Sequence, residues 1–284
     1  NSYEGLCEYL GGKYISYTEE KPITMNPFNI TQAELNIEKI DFLKNLILLI
    51  WKGSDTKITE LEFRIVEQMV TDYYDAYFYG FDGYDPVQRE NLHKTLIAAE
   101  KRKGRWNAEN LPELEQKVDG KIRLLEERRK ALKVNSLSFN TFYEYSCERL
   151  ELICLENNIT EIDYDKYTYM IQPFYKGGNY DKILNENVDT TLFSETFIVF
   201  EVDAIKENKK LFPIVTLIIM DVFLQKMRIK KNRKVLVIEE AWKAIASPLM
   251  AEYIKFMYKT ARKFWASVGV VTQEIQDIIG SEIV

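Results

Sequence analysis

The sequence predicts an α/β domain with an all-helical unit inserted into it. Three observations carry that expectation. From residue 190 onward, short apolar runs rich in β-branched and aromatic residues alternate with helical patterns. Residues 60–188 show helical periodicity and no strand-like run. Residues 1–59 are mixed, with one strand pattern and one long apolar helix. Apolar strands alternating with helices imply a parallel sheet covered on both faces. The chain therefore divides into 1–59, the first part of a sheet domain; 60–188, the helical insertion; and 189–284, the second part of the sheet domain.

The elements follow in order from local signals. Tyr3 to Leu10 is a short helical pattern stopped by Gly11-Gly12, and Lys13 to Tyr17 alternates as a strand. A loop with Asn26-Pro27-Phe28 follows. Ala33 to Trp51 repeats apolar residues at helical spacing and ends near Gly53. Thr59 with Glu62 is a capping box opening a helix to about Tyr79. Asp85-Pro86 starts the next helix, to about Lys103, and Leu111-Pro112 opens a charged one to about Lys133. Thr141 with Glu144 is read as a further box, leading to a helix that ends near Asn157. Asp163 to Phe174 is a shorter helix before Gly177-Gly178. Three strands then follow at 197–200, 235–238 and 268–271, with helices at Leu211–Met227 and Pro248–Lys263 between them and another beginning near Glu274.

Composition narrows the class. With 46% hydrophobic and 29% charged residues, the chain is neither collagen-like, low-complexity nor wholly disordered. A net charge of −6, from 38 basic and 44 acidic residues, argues against an unaided, sequence-independent nucleic-acid binder. The apolar run Leu211–Leu224 is interrupted by Pro213, Thr216 and Asp221 and is too short to span a bilayer. Three cysteines fit a reducing compartment. Cys147 and Cys154 lie roughly 10 Å apart on one helix, beyond disulfide reach, and read as small core residues. With His93 as the single histidine, no His/Cys zinc site can be assembled, and His93 itself reads as a half-exposed helix residue.

The sharpest chemical feature is Val235-Leu236-Val237-Ile238-Glu239-Glu240-Ala241-Trp242. Two carboxylates follow a buried parallel strand, and ligands of open α/β sheets bind beyond the carboxyl ends of the strands. Two readings fit. Either the acids form a Walker-B pair, one on the Mg²⁺ side and one polarising the attacking water, or they are solvated caps of the next helix. Thr272-Gln273 stands at the equivalent end of the following strand, where a polar residue can meet a γ-phosphate or serve simply as a helix cap. Arg262-Lys263 ends the helix between them; its cations either complement that helix terminus or supply charge near phosphate, in cis or across a subunit interface. No G-x-x-x-x-G-K-[ST] occurs in the 284 residues, and Gly11-Gly12-Lys13 precedes a strand rather than a helix. The basic cluster Lys226, Arg228, Lys230, Lys231, Arg233 and Lys234 reads as a solvated turn, and the tyrosines at 73, 74, 77, 79 and 84 as helix packing or a partner surface.

Taken in order, these segments resemble the VirB/TraC-type conjugation ATPases of type IV secretion. Val235–Trp242 is similar to the family's Walker-B segment, Asn26-Pro27-Phe28 to its N-P-F loop, and Ser2-Tyr3 with Leu10-Gly11-Gly12-Lys13-Tyr14 to the segment after its second core strand. Pro173-Phe174, Gly177-Gly178 and Tyr180 resemble the exit from its all-α insertion, and Phe200-Glu201 the next core strand. Arg262-Lys263 and Thr272-Gln273 fall where the family keeps an R-K and a T-Q pair. The resemblance implies a RecA-like P-loop NTPase core of the HerA/FtsK kind, with an all-α insertion domain and a hexameric assembly. It implies a place at the cytoplasmic face of the inner membrane, held there by other channel subunits, with ATP and Mg²⁺ as cofactors of the whole protein. It further implies Glu240 as catalytic base, Glu239 as Mg²⁺-side acid, Gln273 as γ-phosphate sensor, Arg262 as charge stabiliser or interface finger, and Thr272 and Lys263 on the nucleotide side.

Two departures stand out: Glu239 takes the place of the family's usual Asp, and the phosphate loop is missing from the sequence. Because the chain opens on Asn1, it is read as an interior piece beginning after that loop, and by itself inactive. Two other functions remain open: a docking module for channel subunits carried by the helical insertion, and an FtsK-like translocase on double-stranded DNA.

Overall fold

The computed structural model describes residues 2–54, 56–104, 106–107, 109–239 and 248–272. The centre of the molecule is α2 (Ile37–Lys52), buried on nearly every side through Phe42, Leu43, Leu46, Ile47, Leu48, Leu49 and Ile50. The apolar pattern predicted a start at Ala33. The helix instead begins at Ile37, because the Asn36 side chain accepts from the Lys39 N–H and caps it there. One face of α2 packs on α3 (Glu60–Phe78) and α7 (Tyr164–Ile171). Another packs on α9 (Leu211–Ile229), which in turn meets α10 (Pro248–Ala261). Lys39 on α2 and Asp221 on α9 form a buried ion pair at 2.9 Å. Among the described residues no helix is long and apolar enough to cross a membrane.

Between α3 and α7 lie α4 (Pro86–Lys103), α5 (Leu111–Ala131) and α6 (Phe139–Asn157), with no strand among the described residues. The caps of α3 and α4 are those the sequence predicts, Thr59 with Glu62 and Asp85 with Pro86. The cap of α6 is not. Its box is Ser138 with Thr141, three residues before the predicted Thr141 with Glu144. Thr141 is drawn into the helix because its hydroxyl lies 2.6 Å from that of Tyr73 and donates to Ser136 O at 2.7 Å. A small core of Leu92, Leu96, Leu114, Val118, Ile122 and Leu125 holds α4 and α5 together over Leu152 of α6. The large core runs from Tyr17 to Val268.

The N-P-F loop bolts the first segment to the helices. Asn26 donates to Leu137 O at 2.9 Å and accepts from the Phe28 N–H at 3.1 Å. Fully buried Phe28 stacks on Phe142, with ring centroids 5.1 Å apart, and meets Tyr73 and Phe139 edge-on. His93 is half-exposed and Cys147 is buried, as expected, while Cys154 is only partly covered.

Among the described residues the strands form two parallel ladders. β1 (Lys13–Ser16) pairs with β2 (Ile198–Glu201), and β3 (Lys234–Ile238) with β4 (Ala266–Val270). The prediction of a sheet covered on both faces needs correcting. Leu236 and Ile238 of β3 pack on the core, but Val235 and Val237 are 68% and 56% exposed. Side chains of a strand alternate between faces, so an all-apolar run signals two covers, and the described residues supply one.

Candidate nucleotide site at the strand ends

The carboxyl ends of β3 and β4 lie side by side. Their register pairs Lys234 with Ala266 through Ile238 with Val270, and the Val271 N–H donates to Ile238 O at 2.9 Å. Counting on from that register, Glu239 stands level with Val271 at one edge, with Thr272 next along. The two ends that the sequence marks as polar are therefore brought together. Glu239 is exposed and Thr272 half-exposed. Glu240 and Gln273, assigned as base and γ-phosphate sensor, lie outside the described residues.

Sequence reasoning gave no role to Tyr3, whose hydroxyl donates to the Glu239 carboxylate. Tyr3 sits on α1 (Ser2–Tyr9), which packs on β1 and β2. The close fit there needs a glycine: a Cβ on Gly12 would lie 2.7 Å from Phe197 O and 3.0 Å from Cys7 Sγ. The Tyr3–Glu239 bond thus ties the first ladder to the acidic end of the second. Hydrogen bonding to Glu239, followed by its negative charge, raises the Tyr3 hydroxyl above its ordinary pKa.

Arg262 and Lys263 are exposed in a 3₁₀ turn just before β4, at its amino end. At about 3.3 Å per residue, Thr272 is roughly 20 Å along the strand from Ala266. Within one chain the structure does not bring these cations to the edge that carries Glu239 and Thr272.

The described donors at that edge are a carboxylate and a hydroxyl. An oxygen-only set with few protein ligands suits Mg²⁺, which keeps several waters and completes its shell with substrate phosphates. Among the described residues no cluster of three or more His, Cys, Asp or Glu side chains could hold a metal without such help.

The family described as the TraG P-loop domain matches residues 1–80 and 75–284 of this sequence. The chain belongs to that family. The type IV secretion system protein CagE of Helicobacter pylori (strain ATCC 700392 / 26695) is 32% identical over 99 residues, which are 35% of this chain and 10% of that protein. VirB4 of Thermoanaerobacter pseudethanolicus matches in structure over 99% of this chain and 62% of its own, with a TM-score of 0.54 and 18% identity. At that identity the likeness is one of fold, and with the family match it makes this helix-rich domain with small parallel ladders P-loop NTPase-like. This TraG-family chain therefore spans 10% and 62% of the two proteins it resembles.

Proposed function

We propose that this chain is part of a conjugation or type IV secretion motor ATPase, which hydrolyses ATP to power pilus assembly and DNA or protein transfer. The observation that carries the proposal is the shared edge of β3 and β4, with Glu239 and Thr272 at adjacent parallel strand ends, in a TraG P-loop family chain. In the complete protein, Mg²⁺ would shield the phosphate charge, and Glu239 is the described carboxylate that would help hold it. Glu239 stands on the metal side of that edge, with its orientation set by the Tyr3 hydroxyl. A glutamate reaches further than the family's aspartate, which suits ligation through water. Glu240 takes the proton of the attacking water, Gln273 reads the γ-phosphate and Thr272 serves the nucleotide side, whereas Lys263, beside Arg262, serves the nucleotide of a neighbouring subunit. Arg262, at the far end of β4, acts on the nucleotide of a neighbouring subunit, which fits a hexamer. The motor stands at the cytoplasmic face of the inner membrane, held there by other channel subunits, and the division into 1–59, 60–188 and 189–284 is part of the same proposal.

Residues 1–284 contain no G-x-x-x-x-G-K-[ST] and should not hold nucleotide tightly on their own. The test is paired. The full-length protein should hydrolyse Mg-ATP, while calorimetry on residues 1–284 shows no tight Mg-ATP site. A full-length protein without ATPase activity would overturn the motor reading. Micromolar binding to residues 1–284 would overturn their inactivity.

A second reading is favoured by the α4–α5 hairpin, which has its own small core and an exposed charged surface. Such a hairpin can serve as a docking module for channel subunits. Failure of the helical unit to change channel-subunit binding when it is mutated in the full-length protein would count against it.

A further inference from the structure

A cleft of about 340 Å³ opens where the carboxyl end of α3 meets the loop 79–85 and α5. That volume is at the low end for pockets that take a ligand group, about 300–1,000 Å³. The cleft is acidic, but its acids are not equivalent. Asp72 is held by Arg129 at 3.0 Å and Arg149 at 2.8 Å, and Asp85 caps α4 by accepting from the Gln88 N–H. Asp75 and Asp82 line the same space, and neither has an ion pair or hydrogen-bond partner for its carboxylate among the described residues.

A second observation comes from the floor of the cleft. Tyr145 is only 5% exposed and lines the cavity, yet its hydroxyl has no hydrogen-bond partner among the described residues. That hydroxyl is not shut off from solvent; it opens on the cleft and is free to accept from an incoming donor. The backbone adds to the negative field: Tyr79 and Gly80 N–H both bond to Asp75 O, marking the negative end of the α3 dipole. The rim is shaped by Gly80 and Gly83, at φ 75° and 142°, conformations that a side chain would strain.

The cleft wall already shows which cation it suits. Arg129 lays its guanidinium 4.1 Å from the centre of the Phe81 ring while bonding Asp72. A flat guanidinium stacks on aromatic rings and bonds carboxylates side by side, whereas an ammonium does neither as well. Tyr79 and Phe81 beside Asp75 and Asp82 offer rings and carboxylates to a second guanidinium, with the Tyr145 hydroxyl as a further acceptor.

We propose that this cleft seats an arginine side chain presented by an exposed segment of a partner protein. Burial and the charge of Asp72 raise the Asp75 carboxyl above its ordinary pKa, a cost that an incoming cation relieves. That the partner is a secretion-channel subunit rests on the motor reading. The preference for guanidinium does not, so the two can fail separately.

The test is fluorescence anisotropy of the 284-residue chain with labelled tetra-arginine and tetra-lysine peptides. Tetra-arginine should bind at least threefold more tightly than tetra-lysine. Asp75→Asn with Asp82→Asn should weaken it at least tenfold, and Tyr145→Phe at least twofold, with thermal midpoints unchanged. Glu113→Gln with Glu115→Gln, the same charge change at exposed sites on α5, should leave binding as it was. If the double aspartate variant misfolds, Asp82→Asn alone carries the comparison. Equal binding of the two peptides, or equal effects of the two charge changes, would overturn the proposal. So would self-association of the chain that Asp82→Asn abolishes, since that would assign the cleft to a second copy.

Discussion

Arg149 of α6 is buried and held by two carboxylates at once. It is 0% exposed, and its guanidinium meets Asp72 at 2.8 Å and Glu156 at 2.9 and 3.0 Å. Replacing it by Met keeps much of the volume and removes the charge. The two carboxylates are then left unequally. Asp72 keeps Arg129, while Glu156 keeps only the Tyr84 hydroxyl at 2.6 Å. Breaking a buried ion pair from one side costs about 3–5 kcal/mol, chiefly for the stranded charge. With one acid still paired, Arg149→Met should cost about 4 kcal/mol, and adding Glu156→Gln should restore about 1–2 kcal/mol by neutralising the stranded carboxylate. Urea denaturation followed by far-UV circular dichroism measures both. A loss under about 1 kcal/mol for the single variant, or a double variant worse than the single, would refute the reasoning.

Phe28→Ala should cost about 3–5 kcal/mol, as expected for emptying a fully buried aromatic site, and a scanning-calorimetry loss near zero would mean that the N-P-F loop does not bolt the first segment to the helices. Tyr74→Phe removes the donor to the buried Phe28 carbonyl and should cost about 1–2 kcal/mol in the same experiment; an unchanged midpoint would dismiss that bond as a stabiliser. Hydrogen bonds from Lys117 and Lys121 hold the Glu100 carboxyl at about 2, below its ordinary 4.5. A depressed folded-state pKa stabilises above the unfolded value, and the gain is lost as pH falls from about 4.5 toward about 2. Wild type should therefore exceed Glu100→Gln in thermal midpoint at pH 6, with the gap closing by pH 2.5, whereas a gap independent of pH would contradict the assignment.

What could be read in the sequence was local. The boxes at Thr59 and Asp85 depend on residues three apart, and both helices start where those residues predict. The strands and the alignment of their polar ends followed from short apolar runs and the parallel rule. What depended on distant partners could not be read. Thr141–Glu144 fits the usual pattern better, with a Glu at the third position, yet Thr141 engages the Tyr73 hydroxyl and Ser138 becomes the cap. The Tyr3–Glu239 bond joins residues 236 apart, with no pattern to announce it. The uncovered face of β3 was hidden for the opposite reason, since Val235 and Val237 look buried to any reading based on hydrophobicity.

The central claim, that the acids after β3 serve ATP hydrolysis, is tested most directly by measuring Mg-ATP affinity and turnover of the full-length protein on the same preparations of wild type, Glu239→Gln and Glu240→Gln. The account predicts that Glu240→Gln binds Mg-ATP as wild type does but loses about 10²–10⁴-fold in turnover, the usual contribution of a general base. It predicts that Glu239→Gln instead raises the Mg²⁺ concentration needed for half-maximal activity. Wild-type turnover and Mg²⁺ dependence in both variants would contradict it.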